Sequence, residues 1–127
     1  MREIKFRGIT GTTEGKKWAY GYLYKIKSFF SEDYQYFIKN EHLQETSVDE
    51  ETIGQYTGLK DKNGKEIYEG DIIYVIPEDE TAFILWDKET AKYIIQFKGW
   101  CADFDNYYGK ELEVIGNIYD NPELLEK

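Results

Sequence analysis

Residues 16–27 read Lys-Lys-Trp-Ala-Tyr-Gly-Tyr-Leu-Tyr-Lys-Ile-Lys, and large apolar side chains occupy every second position from Trp18 to Ile26. Alternate side chains of an extended chain share one face, so this spacing predicts a β-strand with an aromatic face. The preceding segment repeats the pattern with Ile4 and Phe6, and glycines at positions 8, 11 and 15 favour turns. The sequence therefore predicts an N-terminal β-hairpin with a long loop.

The remainder of the chain also divides into short strands separated by turn residues. Strands are predicted over residues 34–39, 72–76, 81–87, 91–97 and 111–119. Asn63-Gly64 is typical of a type I′ hairpin turn, and Asn121-Pro122 with a following Glu indicates the start of a short helix. We expect a mainly β fold, with a small SH3-like barrel over about residues 54–119, an N-terminal β-hairpin element and a short C-terminal helix.

The length of 127 residues favours a single domain. An acidic stretch over residues 40–53 interrupts the β pattern and leaves open a division into two β lobes, residues 1–39 and 54–127. Within that stretch, Ser47 and Glu50 have the spacing of a capping box, which predicts one helical turn.

Charge is distributed unevenly along the chain. The formal net charge is −9, yet residues 1–27 carry seven basic and two acidic side chains, or +5. Residues 28–53 carry one basic and seven acidic side chains, or −6. Only the first segment can therefore present a basic face to an anionic partner.

Several kinds of site are excluded by residue type and spacing. Cys101 is the single cysteine, which excludes an internal disulfide and a cysteine-rich zinc site, and we expect it to be a small buried residue. His42 is the single histidine and lies among acidic neighbours, so a histidine-based metal cluster is excluded. The glycine-containing segment 57–71 has neither P-loop nor EF-hand spacing. We expect no catalytic residue, no cofactor and no metal, and hence no enzyme.

The start of the chain has charges at every second residue and no apolar stretch of a signal peptide. No apolar run approaches the roughly 20 residues that cross a bilayer. We therefore expect a cytoplasmic protein.

The N-terminal strands hold the one mixture of basic and aromatic residues in the chain. Three interpretations of the aromatic face are open: core packing, a protein interface, or a nucleic-acid surface that stacks bases and neutralises phosphates. Core packing is favoured, because a shared apolar face most often points inward. The candidate interaction surface consists of Lys16, Lys17, Tyr20, Tyr22, Tyr24, Lys25 and Lys27.

A longer pattern carries a family resemblance. Residues 52–59 read Thr-Ile-Gly-Gln-Tyr-Thr-Gly-Leu, and Asp61, Asn63-Gly64 and Ile67-Tyr68-Glu69-Gly70-Asp71-Ile72 follow. With residues 2–8, Trp18 and Gly21, this pattern resembles the YopX family, small proteins encoded by bacterial phages and prophages. The resemblance implies origin and fold, and it carries over no catalytic residue.

We therefore expect a non-enzymatic phage or prophage accessory protein that acts by protein–protein binding, as a homo-oligomer, in the bacterial host. The chain carries more aromatic surface than a small monomer readily hides. Nucleic-acid binding through the basic N-terminal strands is the alternative. Mimicry of DNA by the acidic remainder is a third hypothesis, motivated by charge alone.

Overall fold

The computed structural model describes residues 2–11 and 15–126. The chain divides into two compact units, Met1–Tyr56 and Thr57–Lys127. The described strands form two antiparallel sheets, and neither closes into a barrel. The mainly β class predicted from the sequence is confirmed.

The first unit contains β1 (Phe6–Thr10), β2 (Lys17–Lys27), β3 (Tyr34–Lys39), β4 (Glu45–Val48) and the start of β5 (Gly54–Lys60). Their order across the sheet is β4-β3-β2-β1-β5. Among the described residues of this unit, the buried apolar side chains are those of Ile9, Ile38, Val48 and Tyr56. Ile38 of β3 and Val48 of β4 point to the same face of the β3–β4 pair, so the core covers that face.

The predicted N-terminal hairpin is confirmed. Strands β1 and β2 pair antiparallel, with Ile9 opposite Trp18 and Phe6 opposite Gly21. The long loop predicted between them includes residues 12–14, which lie outside the described residues. Strand β1 lies between β2 and β5, since its other edge pairs with β5, with Phe6 opposite Gln55.

The acidic stretch lies within the first unit and forms regular structure. Residues 45–48 form β4, which pairs with β3 and buries Val48. A 3-10 helix follows at Glu50–Thr52, and its N-cap is Asp49. The expected end of the β pattern at residue 40 is therefore wrong, because ladder hydrogen bonds to β3 outweigh the acidic composition. The single helical turn predicted from the capping box is present as this 3-10 helix, but the capping box itself is wrong, since Ser47 belongs to β4 and Asp49 is the N-cap.

The second unit contains the rest of β5 and six further strands. These are β6 (Glu66–Tyr68), β7 (Asp71–Val75), β8 (Glu80–Asp87), β9 (Lys92–Phe97), β10 (Trp100–Asp103) and β11 (Leu112–Asn117). Five of them form a sheet in the order β10-β9-β8-β7-β11. Its core includes Ile73, Val75, Ile84, Ile95 and Leu112, each at most 1% exposed. The continuous apolar run at residues 72–76 is confirmed as a buried strand apart from exposed Ile76.

The predicted SH3-like barrel over residues 54–119 is not confirmed. The five-stranded sheet in this range is open, with β10 and β11 at its two ends. Strands β5, β6 and β10 were hidden in the sequence by glycines and charged residues that favour turns. Those glycines flank the strands or, like Gly58, lie within one at positive φ.

Two predicted turn elements take a different form. Between Asp61 and Lys65 only Gly64 has a positive φ, so the type I′ turn is wrong and a longer loop with one left-handed glycine replaces it. The predicted C-terminal helix is not confirmed as an α-helix: Pro122–Leu125 form a 3-10 helix after Asn121. Within the described residues, no helix is both long and apolar enough to cross a membrane.

Candidate protein-binding surface

Strand β2 changes its partner at Gly21. Up to and including Gly21, β2 pairs with β1, and from Tyr22 onward it pairs with β3, beginning opposite Lys39. Gly21 has φ +150°, and a Cβ there would lie 2.2 Å from the Lys39 carbonyl oxygen. Only glycine fits this close approach of two backbones. Residues 22–39 thus form a hairpin with one edge free of β1, which we call the aromatic hairpin.

One face of the aromatic hairpin is exposed. Tyr22 is 69% and Ile26 is 51% exposed, and Tyr20 before the bend is also exposed. Core packing of this aromatic face, favoured by the sequence, is therefore wrong for these residues. The core lies on the other face, where Ile38 sits opposite Leu23 in the β2–β3 ladder and is 1% exposed.

Tyr24 lies in the middle of the exposed face and is half-buried. Its ring stacks on Phe37 at 5.5 Å between centroids, and the Lys39 Nζ lies 5.7 Å from the ring centroid. Loss of hydration raises the pKa of the Tyr24 hydroxyl to about 12, with a further contribution from its hydrogen bond to Glu45. The Tyr24 hydroxyl is therefore neutral at physiological pH.

The tip of the aromatic hairpin carries its most exposed apolar side chains. Phe29 and Phe30 are 93% and 94% exposed, and their rings meet edge to face at 5.4 Å. The tip is closed by the Ser28 N–H, which donates to the Asp33 carbonyl at 2.7 Å. Sequence reasoning missed these two residues. The available signal was an adjacent Phe pair inside the otherwise polar stretch 28–33.

The predicted lysines do not form one patch. Lys16 and Lys17 lie at the start of β2, whereas Lys25 and Lys27 lie near its other end. At about 3.3 Å per residue, Lys17 and Lys25 are separated by up to about 26 Å of strand. Lys25 Nζ lies 4.3 Å from the Tyr34 ring centroid, and Lys27 forms an ion pair with Glu32 at 3.0 Å. The structure thus brings together the aromatic members of the predicted surface more closely than its basic members.

A groove of about 650 Å³ opens beside the bend of β2. It is lined by three short segments: residues 3–5, residues 20–22 and residues 40–43. His42 lies on its rim, exposed, with Nε2 3.5 Å from the Glu41 carboxylate. Its segment is held by Asn40, whose Oδ1 accepts hydrogen bonds from the His42 and Gln44 N–H groups. The groove has apolar walls from Ile4 and Leu43 beside this mixed-charge rim.

One further sequence expectation concerns a single side chain. Cys101 is exposed on β10 rather than buried, because β10 ends its sheet and its outward face is uncovered. No group of three or more His, Cys, Asp or Glu side chains in the described part of the chain is placed to hold a metal ion.

The family relationship follows from a profile of the family described as YopX protein, which matches residues 5–126. The chain belongs to the YopX family. The resemblance identified from residues 52–72 and from the N-terminal segment is thus confirmed.

The chain is also similar to a protein of solved structure. The crystal structure of protein EF1440 from Enterococcus faecalis is 28% identical, with a TM-score of 0.46, over 94% of this chain and 74% of the other. No curated protein matches the chain in sequence.

The segment that carries the YopX resemblance is held by buried carboxylates. Asp61 is 6% exposed, and its two oxygens accept hydrogen bonds from the N–H groups of Asn63, Lys65 and Val114 at 2.8–2.9 Å. Asp71 is 2% exposed and accepts a hydrogen bond from the Tyr68 N–H at 2.7 Å. Because these oxygens bind backbone groups, the two carboxylates hold the β5–β7 turns together.

Proposed function

We propose that this YopX family member is a non-enzymatic phage or prophage accessory protein of the host cytoplasm that acts by binding protein, and that it does so as a homo-oligomer. The aromatic hairpin is the binding surface. The observation that supports this most is the exposure of Phe29 and Phe30 at its tip.

Exposed apolar side chains on a small protein tend to cluster where a partner binds. Tyr22, Ile26, Phe29 and Phe30 are all at least half exposed and lie within nine consecutive residues. Aromatic residues of this kind are enriched at protein interfaces, because they combine apolar area with few rotatable bonds.

Charge favours a second copy of the chain as the partner. The chain has a formal net charge of −9, so most of its surface repels another copy. The aromatic hairpin instead carries Lys25, Lys27 and Lys39 against Glu32 and Asp33, a balance of +1. Two copies that meet at this surface repel each other less than they would through the acidic remainder of the chain.

Light scattering after size-exclusion chromatography tests this proposal. We expect the wild-type protein at high concentration to have a mass that is a multiple of 15.1 kDa. The F29S/F30S variant should shift toward the monomer mass. Tyr108→Ser is the matched control, because it removes a ring that is 73% exposed from the second unit. A wild-type protein that stays at 15.1 kDa at its highest soluble concentration contradicts the proposal.

Nucleic-acid binding is the alternative function, supported by the exposed Lys16 and Lys17 beside the aromatic β2. Phosphate contacts weaken steeply with salt, so labelled DNA and RNA should be tested at about 50 mM salt, where such contacts are strongest. Fluorescence polarisation that rises for the wild type and not for Lys16→Glu with Lys17→Glu supports this alternative. No change in polarisation for either protein excludes it.

A further inference from the structure

We infer that two copies of the chain pair antiparallel through the free edge of β2 in the aromatic hairpin, with Tyr24 of one copy opposite Tyr24 of the other. This inference rests on the proposed self-association and assigns its interface. It combines the backbone groups left free by the bend at Gly21 with the exposed side chains beside them.

The direction of each backbone group in β2 follows from the ladder with β3. The Ser28 N–H donates to the Asp33 carbonyl, and this bond continues the register in which Tyr24 lies opposite Phe37. Hydrogen-bonded pairs alternate along an antiparallel ladder, so the even-numbered residues of this segment point their N–H and C=O groups toward β3. Leu23, Lys25 and Lys27 therefore point theirs toward the opposite edge.

Nothing in the described part of the chain occupies that edge. The pairing of β1 with β2 ends where Phe6 lies opposite Gly21, and the Lys5 carbonyl faces the other edge of β1, where it accepts a hydrogen bond from the Tyr56 N–H. The backbone hydrogen bonds of the described loops and turns do not reach Leu23, Lys25 or Lys27. An unpaired edge of this kind is a template for another strand.

The register follows from the side chains. A two-fold axis perpendicular to the sheet keeps each face continuous, so residues of the same face must lie opposite each other. Centring the pair on Lys25 would place two lysines directly opposite, which is destabilising. Centring it on Tyr24 places Tyr22 opposite the partner's Ile26, an aromatic and β-branched pair of the favourable kind. Leu23 then lies opposite the partner's Lys25 on the other face.

The same register extends the apolar contact beyond the strands. The paired segment ends at Tyr22, because Gly21 already lies opposite Phe6 of β1. The tip residues Phe29 and Phe30 of each copy therefore meet the partner where its β1 begins, next to the N-terminal segment that lines the groove. Ile4 in that segment is 55% exposed. The most exposed side chains of the tip and an exposed apolar side chain of the groove are thus brought to one interface.

A single proline substitution in the free edge of β2 tests the backbone pairing. Lys25→Pro removes an N–H that faces the free edge and leaves the β2–β3 ladder intact, since Lys25 does not bond to β3 through that group. Lys25→Ala is the matched control, because it removes the side chain and keeps the N–H. We expect Lys25→Pro to halve the mass measured by light scattering to 15.1 kDa and Lys25→Ala to leave it unchanged. A dimer that survives Lys25→Pro overturns the inference.

Disulfide trapping tests the register without relying on proline. In a Cys101→Ser background, Tyr24→Cys places two thiols on facing residues whose Cα atoms are about 4.5 Å apart, within disulfide range. Lys25→Cys is the control, because its two copies lie diagonally, at about 7–8 Å or more. We expect a covalent dimer on a non-reducing gel for Tyr24→Cys alone. The inference is overturned if only Lys25→Cys forms a covalent dimer, or if no covalent dimer forms with either variant.

The two proposals fail in distinguishable ways. A wild-type monomer at all concentrations contradicts the proposed self-association itself. A wild-type oligomer that resists Lys25→Pro and does not trap through Tyr24→Cys keeps the self-association and contradicts only this interface.

Discussion

At the scale of single residues, buried carboxylates show how a strongly acidic chain folds. Asp61 lies in a loop between strands and accepts three backbone hydrogen bonds, including one from Val114, 53 residues away in sequence. Burial alone would raise the pKa of Asp61, but the hydrogen bonds from Val114, Lys65 and Asn63 outweigh it and hold the pKa below its ordinary value. The charged form of Asp61 thus stabilises the fold.

Asp61→Asn should lower the free energy of unfolding by about 1–3 kcal/mol at neutral pH, because an amide cannot accept all three hydrogen bonds. The depressed pKa gives the wild type stability that is present above the unfolded value, about 3.9, and is lost as the pH falls toward the folded value. The free energy of unfolding of Asp61→Asn should not show this decrease, because its residue 61 has no carboxyl group to protonate. Urea unfolding from pH 7 to pH 3 measures both effects, and the exposed Asp105→Asn is the control. Equal unfolding curves for wild type and Asp61→Asn would contradict this account.

Tyr107 offers a second single-residue test in the second unit. Burial raises the pKa of Tyr107 to about 12, and its hydrogen bond to the Glu78 carboxylate adds to the shift. Glu78→Gln should bring the pKa back toward 10 without reaching it, since the burial remains. Absorbance of tyrosinate as a function of pH measures the change. In the wild type, stability should fall as the pH rises from about 10 to about 12, where only the unfolded Tyr107 ionises.

At the scale of elements, strand β2 depends on its bend. Gly21→Ala and Gly99→Ala both place a Cβ at positive φ, at about 1–3 kcal/mol of backbone strain each. Only Gly21→Ala also forces a Cβ to within 2.2 Å of the Lys39 carbonyl oxygen, whereas the site at Gly99 is open. Gly21→Ala should therefore destabilise the protein by about 1–3 kcal/mol more than Gly99→Ala. Thermal unfolding of the two variants compares them, and equal losses would show that the close approach at Gly21 is unimportant.

The elements differ in how far the sequence predicts them. Strand β2 and the buried strand β7 were predicted because their side-chain patterns directly reflect the faces that they present. Strand β4 was not, because its charged and hydroxyl residues form a strand only by pairing with β3. Strand β10 was missed because Gly99 and the exposed Trp100 and Cys101 lack an apolar alternation. Whether the second sheet stays open or closes into a barrel likewise depends on the order of its strands, which the residue pattern within each strand does not determine.

At the scale of the whole molecule, the period-two pattern of β2 predicts a shared face but not whether another element covers it. The sequence predicts that Tyr20, Tyr22 and Tyr24 share one surface. It favoured core packing over an interface for that surface, because the pattern of one strand does not show which of its faces another element covers. The Phe pair at the tip was missed because its exposure depends on the hairpin as a whole.

Net charge provides a test that separates the two candidate partners. Two copies with a charge of −9 each repel over long range, and salt screens that repulsion. Self-association through the near-neutral aromatic hairpin should therefore strengthen as sodium chloride is raised. Nucleic-acid binding should weaken under the same change. Sedimentation equilibrium at several salt concentrations measures the first trend, and self-association that weakens steeply with salt would indicate a charged interface instead.

The central claim is that the aromatic hairpin is the surface by which this protein binds another chain. Hydrogen–deuterium exchange, followed by mass spectrometry at low and at high protein concentration, tests it most directly. We expect the peptide covering residues 22–30 to exchange more slowly at high concentration, while peptides from the second unit are unchanged. Equal exchange of residues 22–30 at both concentrations, in samples that light scattering shows to be associated, would contradict the claim.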